Sequence, residues 1–149
     1  MGFIHPGCGQ ALSGRVTRPH PCRESIVRIL IVTQYFWPEN FRINDLASGL
    51  RERGHDVVVL TGMPNYPGGR IFDGYGWLNP VHENWNGIDI LRCPLIPRGR
   101  GGGLRLVANY LSFALSACVL APWKCTGHFD AMFVHEPSPI TVALPGIWL

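Results

Sequence analysis

Residues 27–61 read VRILIVTQYFWPENFRINDLASGLRERGHDVVVLT, and this stretch decides the fold. Ile29 to Val32 is an unbroken apolar run rich in β-branched residues. Such a run suits a strand buried on both faces, as parallel sheets require. Ile43, Leu46, Ala47 and Leu50 then recur at the spacing of one face of an amphipathic helix. Arg51 and Arg53 fall in its last turn, where cations suit the helix dipole, and Gly54 stands where a terminating glycine belongs. Val57 to Leu60 is a second buried-strand run. Strand, helix and strand in this order make one βαβ unit of an α/β fold with a parallel sheet. Open α/β sheets bind ligands at the carboxyl ends of their strands. The loop from Gln34 to Arg42 is therefore the first place to look for chemistry.

The whole chain has 149 residues, 46% of them hydrophobic and 15% charged, which is enough for one folded core. A formal charge of +3 is too small to indicate nucleic acid, and no nucleic-acid partner is expected. The five cysteines (Cys8, Cys22, Cys93, Cys118 and Cys125) are odd in number and form no CxxC pair. They fit a reducing cytoplasm better than a disulfide framework.

Residues 1–26 lack any apolar period and are rich in Gly, Pro, His and Arg, so a disordered tail is expected before a domain spanning 27–149. The tail has no long apolar segment of a secretory signal. Its domain-side boundary at Val27 also fits a misassigned start, because an internal GTG codon reads as valine. His5, Cys8, His20 and Cys22 can be written as zinc ligands, but H-x2-C-x11-H-x-C is not a finger spacing, and no metal is expected.

After the second strand, residues 62–69 are turn-formers around Asn65 and Tyr66. Residues 70–87 form an aromatic excursion with an irregular edge strand, closed by the Asn86-Gly87 turn signal, and Ile88 to Cys93 reads as a strand. Pro97 to Gly103 is basic and glycine-rich. It reads either as a solvated loop or as one that meets anions or a membrane through Arg98, Arg100 and the following Arg105. Leu104 to Trp123 is nearly long enough to span a bilayer. Arg105, Asn109, Ser112 and Ser116 mark a polar stripe along it, so a helix laid over one side of the sheet is the stronger expectation. Its surplus apolar surface suits docking on a membrane. Asp130 to Val134 reads as a further buried strand, and Ser138 and Pro139 as the cap and first residue of a helix. The chain stops at Trp148-Leu149 inside an apolar segment, so a truncated C-terminus is expected.

Three loops, 34–42, 62–69 and 135–139, should converge at the carboxyl edge. Their titratable candidates are Glu39, Arg42, His135 and Glu136. A histidine at a strand end serves as a general base, hydrogen-bonds a sugar or phosphate, or merely satisfies a loop carbonyl. Glu39 suits a cap on the helix it precedes, and Arg42 suits either an anion or plain solvent. A GxGxxG turn, a P-loop, HExxH and GxSxG are all absent.

The segments QYFWPENFRINDLASGLRERGHDVVVLTGMPNYPGGRIFDGYG, NGIDILRCPLIPRGRGGGLRLVANYLSFALSA and FVHEPSPITVALP together resemble the N-terminal half of bacterial family 4 glycosyltransferases. Within that family they are most similar to the fucosamine and colanic-acid transferases that build O-antigen and capsule. The resemblance implies a GT-B fold of two Rossmann-like domains and a retaining transfer from a nucleotide-sugar donor, with no metal or other cofactor. The acceptor implied is a polyprenyl-diphosphate-linked saccharide at the inner face of the plasma membrane, bound by this acceptor-side domain. It implies a catalytic role for His135 and substrate contacts for Pro38, Glu39, Asn40 and Arg42, while Asn65, Tyr66 and Glu136 are expected substrate contacts by their place in the neighbouring loops. Arg98, Arg100 and Arg105 would meet the membrane or the acceptor phosphates. Many members carry Gly-Gly where this chain has Asn40-Phe41. The donor-binding domain would have to come in cis or in trans. A binding subunit of a split transferase and an inactive gene fragment are the alternatives.

Overall fold

The computed structural model describes residues 25–76, 82–135 and 144–148. Residues 1–24 of the tail with its zinc reading, together with Glu136, Ser138 and Pro139, lie outside these residues. The described chain runs β1 (Arg28–Thr33), α1 (Arg42–Glu52), β2 (Asp56–Gly62), β3 (His82–Trp85), β4 (Ile88–Cys93), α2 (Gly103–Lys124), β5 (Ala131–His135) and α3 (Leu144–Trp148). Its five strands form one sheet in the order β3-β4-β2-β1-β5, a mixed α/β fold of the Rossmann-like kind. The β4, β2, β1 and β5 strands are parallel, and the edge strand expected of the aromatic excursion is β3, which runs antiparallel to β4. Asn86 and Gly87 both have positive φ (52° and 79°), as a tight hairpin between β3 and β4 requires.

The period of two along each strand builds two cores. Ile29, Ile31, Val57, Val59, Ile88 and Ile90 face Ile43 and Ala47 of α1. Leu30, Val32, Val58, Leu60 and Cys93 face Phe113, Ala117 and Ala121 of α2. Helices thus cover both faces, and the apolar runs of β1 and β2 are buried for that reason. Helix α1 ends as its sequence implies: Gly54 (φ 89°) donates its N–H to the Arg51 carbonyl at 2.9 Å, and His55 donates to the Leu50 carbonyl at 3.2 Å. These two bonds define a Schellman stop.

Two expectations need correction. The β5 strand is apolar but not buried: it lies at the sheet edge with Ala131, Met132 and Phe133 exposed. Glu39 does not cap α1, whose N-cap is Phe41 and carries no side-chain cap. Its carboxylate has turned instead toward the loop after β2, where two backbone N–H groups meet it.

Helix α2 lies across the sheet, against β2 and β4, as its polar stripe suggested. That stripe has a specific partner, the extended segment after β4. Asn109 Nδ2 donates to the Ile96 carbonyl (2.6 Å), the Ile96 N–H to Ser112 Oγ (2.8 Å), and Ser116 Oγ to the Pro94 carbonyl (2.6 Å). Arg105 Nε adds a longer bond to the Pro97 carbonyl at 3.4 Å. Buried backbone groups outside a sheet ladder need such partners, so the stripe does for residues 94–97 what a neighbouring strand would do.

Candidate functional site

The site lies at the carboxyl edge of the parallel strands, where loop 34–42 leaves β1 and loop 62–69 leaves β2. Glu39 joins the two. It is only 3% exposed, and its Oε1 accepts the backbone N–H groups of Asn65 at 2.7 Å and Tyr66 at 2.6 Å. Its own carbonyl accepts from Asn44 Nδ2 at 2.7 Å, which ties the same residue to α1. Burial pushes the Glu39 carboxyl up to about 7, although the Tyr66 and Asn65 N–H groups and the nearby Arg92 pull the other way. Each of the two loops contains a cis proline, at Trp37-Pro38 and Tyr66-Pro67.

Aromatic rings line the seam that Glu39 closes. Tyr35 stacks on Phe41 at 5.2 Å, and Tyr66 leans on Phe41 at 5.3 Å and on Tyr35 at 6.0 Å. Beyond them the Arg98 guanidinium lies 5.4 Å from the centre of the Tyr66 ring. Tyr66, Pro67, Arg98, Arg100 and Leu106 line an open cleft of about 330 Å³ whose floor is glycine 99 and glycines 101–103. A second cleft of about 540 Å³ adjoins it across Gly99 and Gly101, and Arg70, Arg100 and Arg105 face it. Among the described residues, neither cleft is lined by a carboxylate. The floor depends on Gly69 and Gly99, whose backbones meet in a 2.8 Å hydrogen bond. A Cβ on Gly69 (φ 71°) would stand 1.8 Å from the Gly99 carbonyl oxygen, so no other residue fits there.

Arg92 holds the back of the site. It is wholly buried at the end of β4, and its guanidinium donates to the carbonyls of Gly62 (2.9 Å) and Trp37 and to the Glu83 carboxylate. It also lies 4.8 Å from the centre of the Tyr75 ring. One cation thereby fixes the loop after β1, the end of β2 and the edge hairpin. A second polar centre holds the other side, where Asn109 Oδ1 accepts from Gln34 Nε2 (2.7 Å) and the Tyr35 hydroxyl (3.2 Å). Arg92 was not among the expected site residues, and Gln34 entered only as the first residue of the loop after β1. An arginine in a strand reads as solvent-facing, and the only hint was Glu83 across the Asn86-Gly87 hairpin.

The remaining expected residues are placed as follows. His135 ends β5 and is paired in register with Thr33 at the end of β1. Burial lowers its pKa below the usual imidazole value, which favours the neutral ring with one donor and one acceptor. Pro38 is half-buried, Asn40 is exposed, and Arg42 is the exposed first residue of α1. Asn65 is buried, with its Nδ2 on the Met63 carbonyl (2.9 Å) and its Oδ1 accepting the Arg98 N–H (3.4 Å). Tyr66 presents its exposed ring to the first cleft. The structure therefore joins Glu39, Asn65, Tyr66 and Arg98 directly and places Arg100 and Arg105 beside them. Among the described residues no group of three His, Cys, Asp or Glu side chains gathers to hold a metal.

Compared with known proteins, residues 40–149 match the family described as "Glycosyl transferase 4-like domain". No curated protein matches the chain, and no solved structure does.

Proposed function

Because the chain belongs to the glycosyl transferase 4-like domain family, we propose that it is the acceptor-side half of a retaining GT-B glycosyltransferase. The enzyme moves a hexosyl or N-acetylhexosaminyl group from a nucleotide-sugar to a polyprenyl-diphosphate-linked precursor of a cell-surface polysaccharide, of the O-antigen or colanic-acid kind. The observation that carries the acceptor assignment is the first cleft, where an exposed tyrosine ring stands beside two arginines. A pyranose offers an apolar C–H face to Tyr66, and a diphosphate offers oxygens to the fork-shaped guanidiniums of Arg98 and Arg100.

Catalysis in this reading is positioning and electrostatic stabilisation of an oxocarbenium-like transition state. Loop 38–42 faces the cleft between domains, with Arg42 directed to the leaving diphosphate and Asn40 and Pro38 to the sugars. His135 hydrogen-bonds the reacting sugar as a neutral imidazole. The donor-binding domain that completes the cleft acts in cis or in trans, at the cytoplasmic face of the membrane.

The test is made in cells whose chromosomal copy carries His135→Ala. The expected result is accumulation of the unextended lipid-linked acceptor and loss of the mature polysaccharide. Unchanged polysaccharide with a normally folded His135→Ala protein would overturn the catalytic assignment.

A further inference from the structure

Two groups of the first cleft, Tyr66 and Arg98, hang on one buried oxygen. Glu39 Oε1 accepts the Asn65 and Tyr66 amides at 2.7 and 2.6 Å, and Asn65 Oδ1 in turn accepts the Arg98 amide at 3.4 Å. The Arg98 guanidinium then lies against the Tyr66 ring. Glu39 itself is buried and lines neither cleft. It acts on the cleft through Asn65 and Tyr66, as a positioning residue rather than a ligand contact.

The surroundings of Glu39 favour a neutral carboxyl. Among the described residues it has no ion-pair partner. The cation that acts on it, Arg92 of β4, is engaged by Glu83 of β3 and by the Gly62 and Trp37 carbonyls. From its own loop it is faced by Tyr35, whose hydroxyl burial holds in the neutral form. Loop 62–69 contributes Tyr66, α1 the uncharged Asn44, and Arg98 stands beyond the Tyr66 ring. Burial outweighs the two amide donors, so the carboxyl titrates at about 7.

A neutral Glu39 keeps Oε1 as the carbonyl acceptor of both amides, so the joint between the loops needs no charge. An ionised Glu39 is a buried charge without a counterion, and parting the loops is the way for it to reach water. The closed arrangement binds the proton more tightly than a solvated carboxyl does. Closure is therefore fully favoured below about pH 4.5 and is lost as pH rises through about 7. An anion in the cleft pushes the same way, because it favours a neutral neighbour.

We propose that Glu39 is a proton-operated latch on the cleft: neutral, it clasps loops 34–42 and 62–69 and holds Tyr66 and Arg98 in place; ionised, it releases loop 62–69 and weakens the cleft's hold on an anion. The ligand of the latch rests on the sugar-diphosphate reading of the cleft, whereas its mechanics do not, and two measurements separate them. The first needs no ligand: amide hydrogen exchange of the full chain is followed by NMR at pH 5 and pH 7.5. Protection of the Asn65 and Tyr66 amides is expected to fall at least about tenfold between these values. It is also expected to stay below that of the β1 amides, because the loop opens without the core. Glu39→Gln is expected to remove the pH response. The second is calorimetric titration with a short-chain prenyl-diphosphate N-acetylhexosamine. Wild type is expected to bind at least about threefold more weakly at pH 7.5 than at pH 5, and Glu39→Gln to lack this drop. Amide protection that ignores pH, or that responds equally in Glu39→Gln, would overturn the latch. Responsive amides with an affinity indifferent to pH would overturn its control of the cleft. If wild type binds no acceptor at either pH, the sugar-diphosphate reading falls and the amides alone decide the latch.

Discussion

The Glu39 carboxylate accepts the Tyr66 amide at 2.6 Å, across 27 residues of sequence, and this bond joins the two loops that frame the candidate site. The same oxygen takes the Asn65 amide, so one buried side chain sets the separation of the loops.

A pH dependence follows from that placement. Burial raises Glu39 from 4.5 to about 7 in the folded chain. The folded state then holds a proton that the unfolded state has released, and stability falls as pH rises between those values. Each unit of displacement corresponds to about 1.4 kcal/mol. Glu39→Gln keeps an acceptor oxygen without the titration. Denaturant unfolding is expected to show wild type losing stability from about pH 5 to 7, and Glu39→Gln showing no such loss. Glu39→Ala is expected to be weaker at every pH, because the Asn65 and Tyr66 amides each lose a buried partner at about 1–3 kcal/mol.

Asn109 makes a sharper structural test. Replacing it by leucine keeps the branched heavy-atom skeleton but leaves Gln34 Nε2, the Tyr35 hydroxyl and the Ile96 carbonyl without this partner. Each orphaned group costs about 1–3 kcal/mol. Urea unfolding should report a loss of several kcal/mol, much more than for Ser112→Ala on the same stripe.

Arg92 should be the least replaceable residue of the site. Arg92→Met leaves the Glu83 carboxylate unpaired and strips the Trp37 and Gly62 carbonyls of their donor. Breaking a buried pair from one side costs about 3–5 kcal/mol. Double replacement with Glu83→Leu should recover part of that loss, because the abandoned carboxylate is then gone. Thermal melts of the two variants compare the effects directly.

The sequence disclosed the scaffold where burial is two-sided and repetitive. Ile29 to Val32 and Val57 to Leu60 could only be inner strands, and Gly54 and Asn86-Gly87 marked a helix stop and a hairpin through backbone conformations few other residues adopt. It misled at β5, since an apolar run does not reveal whether another strand will lie beside it. The stripe on α2 was visible, but its partners were not, because they are main-chain groups of residues 94–97 and carry no side-chain signature. Glu39 beside a helix start suggests a cap, and only the folded chain brings the Asn65 and Tyr66 amides within its reach. Arg98, Arg100 and Arg105 stood out as a basic segment, whereas Arg70 joined them through the Gly69–Gly99 contact.

The central claim, that the Tyr66–Arg98–Arg100 cleft receives a sugar diphosphate, is tested most directly by calorimetric titration. The ligand is a water-soluble, short-chain prenyl-diphosphate N-acetylhexosamine, which separates the cleft from any bilayer. Saturable binding is expected, weakened at least about tenfold by Arg98→Gln/Arg100→Gln and also by Tyr66→Ala. No binding, or binding indifferent to these replacements in folded protein, would contradict the acceptor assignment.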